Sequence, residues 1–131
     1  LYDDKLTDGH SLTSYHLILE TARLQLELGI NCILDAVFPR QGFRDAVRDI
    51  TTQQNSTLIV IHTFCSDETR HRQRLEMRVS RVPWDRVNWN DTLFTKSKYK
   101  AWNPNEALFV DALNPLETNL NKSLQYIHNH S

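Results

Sequence analysis

Glycine is scarce in this 131-residue chain, with three residues, at positions 9, 29 and 42. A phosphate-cradling loop of the GxxxxGK[ST] or GxGxxG kind needs glycines packed closely, so that backbone N–H groups reach the oxygens; three so scattered build neither. Cysteine is scarcer still. Cys32 and Cys65 make neither a disulfide framework nor a metal set. Each lies in or beside an apolar run, which reads as a reduced core thiol and a cytoplasmic chain. No apolar run nears the ~20 residues that span a bilayer, and the acidic, polar opening Leu1, Tyr2, Asp3, Asp4, Lys5 is no signal peptide. Neither sign of charge prevails: fifteen Lys and Arg against sixteen Asp and Glu leave −1, which excludes a bulk basic field for nucleic acid or anionic lipid. A GxSxG elbow is absent, the six histidines show no ligand spacing, and neither cysteine has an activating partner, so nucleophilic hydrolysis and a metal site are not expected. An initiating Met is also absent, which leaves a complete chain and a fragment both open.

What is present suits a single domain over 1–131, with 40% hydrophobic residues to build a core. Tyr15, Ile18, Leu19, Ala22 and Leu26 recur at helical spacing over 12–28, with Ser11 or Thr13 to cap the start and Gly29 to end the helix. The nearly continuous apolar run 30–38, stopped by Pro39, predicts a strand covered on both faces. Phe43, Ala46, Val47 and Ile50 predict a helix to about residue 52, and 52–57 a loop. Residues 58–64 predict a second buried strand, after which Ser66 caps a helix running to about residue 81. A short helix over 91–99, a strand over 107–112, and a last helix capped by Asn114 and opened by Pro115 complete the chain, with 128–130 fraying. Strands alternating with helices mean crossover units: an α/β fold, a parallel sheet with helices on both faces.

In such sheets ligands sit beyond the carboxyl ends of the strands. Asp35, the turn Ser66, Asp67, Glu68, and Asp111 fall there. A carboxylate inside an apolar strand is costly unless it bonds a turn, pairs with a cation or holds a metal, which marks Asp35. The helix after 66 carries Arg70, Arg72, Arg74, Arg78 and Arg81, with Arg74, Arg78 and Arg81 at i, i+4, i+7. A solvated charged face is one reading; phosphate coordination, for which the guanidinium fork is shaped, is the other. Trp84, Trp89 and Trp102 in the irregular 82–105 stretch either pin it to the core or line a pocket that stacks a base or sugar.

The run Tyr15, Leu19, Ala22, Leu28, Gly29, then Ile33, Leu34, Asp35, Phe38, Pro39, Arg40 and Arg44 resembles the middle of P-loop kinases of the AAA-domain, zeta-toxin-like type, relatives of polynucleotide kinase and chloramphenicol phosphotransferase. There a helix leads into a G-x-x-V-I-L-D-x-x-F strand and then an arginine-bearing helix. Cys65, Ser66, Asp67, Glu68 through Arg72, Arg74, Leu75, Glu76 and Arg78 is similar to the strand–helix entry into their lid. Trp89, Tyr99, Trp102 and the run from Leu108 through Asp111, Pro115, Glu117 and Leu120 resemble their closing strand and helix. The resemblance covers nearly the whole chain and implies a partial P-loop three-layer sandwich with a lid-like segment at about 70–105. It implies Asp35 and the lid arginines Arg74 and Arg78 as catalytic, Arg40 and Arg44 as acceptor-binding, Asp111 as cofactor-binding, and ATP with Mg²⁺ as nucleotide and ion. Such kinases open with a strand, a GxxGxGK[ST] loop, a helix and a strand ending in a catalytic aspartate. Leu1 and Tyr2 resemble the segment just past that aspartate, so roughly 30 or more residues, a strand–helix–strand unit, are expected upstream. The strands here would be the third, fourth and fifth of a 2-3-1-4-5 order, and their uncovered edges call for that upstream segment, direct pairing of 30–38 with 58–64, or a dimeric or swapped assembly. A nucleotide and a hydroxyl acceptor are the expected partners. The rival readings are a non-catalytic kinase-like module recognising an acidic or nucleotide partner, and a nucleotide or nucleic-acid binder stacking on its tryptophans.

Overall fold

The computed structural model describes residues 9–81 and 87–131. Five helices and two strands follow one another as α1 (Gly9–Glu27), α2 (Gln41–Gln53), β1 (Ile61–Phe64), α3 (Glu68–Arg81), α4 (Trp89–Lys98), β2 (Leu108–Asp111) and α5 (Leu116–His130). The class is mixed α/β, and β1 and β2 pair in parallel, with Ile61 opposite Leu108 and Phe64 opposite Asp111. Chain contacts divide the protein into two compact units, Leu1–Leu58 and Ile59–Ser131. Among the described residues no helix is long and apolar enough to cross a membrane.

In the first unit α1 packs on α2, with Leu19, Ala22 and Phe43 buried. Helix α1 already includes Gly9, so Ser11 and Thr13 lie within it rather than at its cap. Its end is as expected: Gly29 adopts φ +71, its N–H donates to the Leu26 carbonyl, and the Ile30 N–H reaches the Gln25 carbonyl at 2.9 Å, a Schellman closure. Asn55, at φ +49, closes α2 the same way: its own N–H bonds Thr52 and the Ser56 N–H bonds Thr51. Arg23 bridges Glu20 and Glu27 along the outer face of α1.

The strand predicted over 30–38 does not form. These residues pair with nothing in a ladder, and Ile30, Ile33 and Val37 face water, Ile33 at 95% exposure. A strand is defined by its neighbour, and an apolar run cannot supply one by itself. Cys32, exposed, is therefore no core thiol; Cys65 is half-buried, and both are free.

The segment ends in a clasp. Phe38 sits at φ +45, a region costly for an aromatic residue, and side chains grip both sides of its peptide. The Tyr15 hydroxyl accepts from the Phe38 N–H at 3.1 Å, and Arg44 Nε donates to its carbonyl at 2.9 Å. Tyr15 stacks on Phe43 at 4.2 Å and meets Phe38 edge-on at 5.4 Å. Burial raises the Tyr15 pKa above 10, opposed by the bonds to the Phe38 and Val37 backbone, so the ring stays neutral.

In the second unit the strands are shorter than 58–64 and 107–112, and α5 runs through His130 where fraying was expected. Asp67, not Ser66, caps α3: its carboxylate accepts the Arg70 N–H at 2.9 Å. Pro115, not Asn114, holds the cap position of α5. Asn88 and Asp91 form a capping box that starts α4 two residues before the expected 91. Trp84, and its share in the tryptophan readings, lies outside the described residues.

Helix α3 meets α4 through His71, whose ring stands edge-on to Trp89 at 5.4 Å, and through Lys96, which lies over Trp89 and 3.7 Å from Glu68. Burial first, then Lys96, and less strongly Arg74, lower the His71 pKa from 6.5 against the pull of Glu68. The unfolded chain then binds the His71 proton more readily than the folded one. Stability carried by neutral His71 is full above pH 6.5 and declines as pH falls below it. Thermal melts between about pH 5.5 and 7.5 should show Tm rising with pH, and more steeply than in His71→Gln. A variant with the parent's slope would contradict this.

Candidate functional site at the strand ends

The carboxyl ends of β1 and β2 lie side by side, and a polar knot ties the loops that leave them. The Ala112 N–H donates to the Phe64 carbonyl at 2.7 Å, extending the ladder by one bond. Asp111 Oδ1 accepts from the Ser66 N–H at 3.3 Å and the Leu113 N–H at 3.0 Å. The Asp111 carbonyl accepts from Asn119 Nδ2 at 2.7 Å, which binds the start of α5 to the end of β2. Arg74 reaches from α3 to donate to the Ala112 carbonyl at 3.0 Å. The Asp111 pKa is held below 3.8, mainly by hydrogen bonding to Ser66, then by the Leu113 N–H, with a smaller pull from Arg74. Asp111 is thus an anion throughout the neutral range.

Arg74 begins the row of arginines along α3. Arg78 follows one turn on, exposed, and Arg70 precedes it, exposed beside Asp67 at 3.9 Å. Arg72 lies off this row, paired with Glu76 at 2.9 Å. The site thus sets a fixed carboxylate and a partly tethered row of cations beside the strand ends. That arrangement suits an anionic ligand held by the arginines and oriented by the loops.

Of the residues singled out from sequence, Arg74, Arg78 and Asp111 belong to this unit, and Arg74 and Asp111 are brought together. Asp35, Arg40 and Arg44 belong to the first unit. Asp35 is exposed in the unpaired segment, so the cost of burial that marked it does not arise. Arg40 occupies the cap position of α2 without a side-chain cap bond. Arg44 is 2% exposed and holds the Phe38 carbonyl.

Two contacts of this unit carry no signature in the sequence. Asn119 is invisible as a tether, because its partner is a backbone carbonyl eight residues away. The pair His62 Nδ1 and Tyr99 Oη, 3.0 Å apart beside Phe109, joins residues 37 positions apart with no spacing signal.

Two N–H groups beside the start of α3 face carboxylates: that of Ser66 faces Asp111 and that of Arg70 faces Asp67. Among the described residues no group of three or more His, Cys, Asp or Glu is placed to hold a metal ion. No protein-family model, curated protein or solved structure matches the chain.

Proposed function

We propose that these residues form the lid-and-acceptor portion of an ATP-dependent P-loop phosphotransferase acting on a hydroxyl group, within a parallel sheet covered by helices on both faces. The observation that carries the reading is the meeting of Arg74 with the Ala112 carbonyl and Asp111 beyond two parallel strand ends. It agrees with the ligand position of open α/β sheets. The strand pairing supports it as well. In a 2-3-1-4-5 order the fourth and fifth strands are neighbours, as 61–64 and 108–111 are, while the third has its neighbours elsewhere. That gives the unpaired apolar run 30–38 a physical reason. On this reading the nucleotide cradle belongs to the segment that the resemblance places ahead of Leu1, and the present chain contributes the arginines of α3. Asp111 acts as a positioning residue, holding the two loops together.

A transition-state mimic tests this without knowledge of the acceptor. In the full-length protein, ADP, Mg²⁺ and aluminium fluoride should protect Arg78 from phenylglyoxal, read by peptide mass spectrometry, while ADP alone should not. Equal modification under both conditions would favour the second reading. That reading is a non-catalytic module whose arginine row binds an acidic partner, supported by the general exposure of Arg70, Arg72, Arg78 and Arg81.

A further inference from the structure

The near-neutral charge of the chain conceals a segregation. Residues 67–100 hold nine of its fifteen Lys and Arg but five of its sixteen Asp and Glu, a net +4 against −5 for the remainder. These residues are largely α3 and α4, which the His71–Trp89 and Lys96–Glu68 contacts join within one unit. The acids of this pair are already engaged: Asp67 caps α3, Glu76 faces Arg72, Glu68 faces Lys96, and Asp91 closes the capping box. All of these ion pairs are exposed, where water and salt weaken them.

The second observation is aromatic. Phe94 presents a ring 55% exposed on α4, one turn before Lys98, whose ammonium lies 5.7 Å from the ring centroid. Leu93 beside it is exposed too, and Lys100 follows at the helix end. Phe94 and Leu93 together make a small apolar patch set among cations. An acidic peptide would use the cations and leave the ring idle, whereas an unpaired nucleobase stacks on it while its phosphates meet the cations.

We infer that the α3–α4 pair is a docking surface for single-stranded nucleic acid, with Phe94 as the stacking platform and Arg70, Lys98 and Lys100 on the phosphates. The surface needs neither nucleotide nor catalysis. Its test is a binding measurement without ATP, so its failure and that of the phosphotransferase reading are separable.

The experiment is fluorescence anisotropy of a labelled oligothymidylate of about 12 nucleotides, with the same-length duplex and polyglutamate as competitors. Binding should weaken with salt along a log–log slope of about −0.7 per phosphate neutralised, and Lys98→Ala or Arg70→Ala should each reduce that slope by about one contact. Phe94→Ala, at an exposed position and checked for retained helicity, should weaken binding about 5- to 100-fold with the slope unchanged. The inference is overturned by absence of binding at low salt or by duplex or polyglutamate competing as well as the single strand. Undiminished affinity in Phe94→Ala would overturn it equally.

Discussion

Replacing Arg78 by alanine in the full-length protein is expected to lower kcat about 10³-fold, with little change in the apparent affinity for nucleotide. An arginine that meets a transferring phosphoryl group contributes on that scale, because it neutralises charge that develops on the equatorial oxygens. Arg78 is exposed on the row that begins at Arg74, so truncating it opens no cavity in the core. Arg74→Ala should behave differently, since Arg74 also holds the Ala112 carbonyl at 3.0 Å. It should lower kcat and also lower Tm by loosening the loop between β2 and α5. Steady-state kinetics beside thermal melts separate the two effects. An Arg78→Ala enzyme within a factor of two of the parent would return α3 to a solvated charged face.

The second large effect concerns the first unit. Phe43 is 4% exposed and stacks on Tyr15, which in turn holds the backbone of Phe38. Phe43→Ala removes the stacking partner and leaves a void, a change that costs about 3–5 kcal/mol in a packed core. Two helices and one clasp hold little more than that in reserve. Chemical denaturation should therefore show this unit unfolded or melting well before Ile59–Ser131, with the Phe38 amide losing its protection from hydrogen exchange. A loss below about 1 kcal/mol would mean that the Tyr15–Phe38–Arg44 clasp, and not the aromatic stack, carries the unit.

Local physics was legible in the sequence and non-local pairing was not. Helices α1, α2 and α5 follow from apolar spacing and α3 from the polar turn that opens it, while the Gly29 stop follows from the one residue that takes positive φ without penalty. Caps were misplaced by a residue or two because Ser66 and Asp67, or Asn114 and Pro115, offer rival starts that only backbone geometry separates. The run 30–38 reads as a buried strand because composition encodes burial, but pairing requires a neighbour that the run cannot name. The same inference buries Asp35, which is exposed. Nothing local shows that the Phe38 carbonyl, six residues back, will claim the Nε of Arg44. Arg74 and Asp111 were both noticed, but their meeting rests on the parallel pairing of strands 47 residues apart in register, which no local pattern encodes.

The most direct measurement is transfer of the γ-phosphate from Mg²⁺-ATP by the full-length protein to a panel of hydroxyl acceptors, with the 131-residue chain assayed beside it. ADP and phosphorylated acceptor are expected in equal amounts from the full-length protein, strongly reduced in Arg78→Ala, with no turnover by the 131-residue chain. Transfer by the 131-residue chain alone, or a full-length protein that neither binds nor consumes ATP, would contradict this.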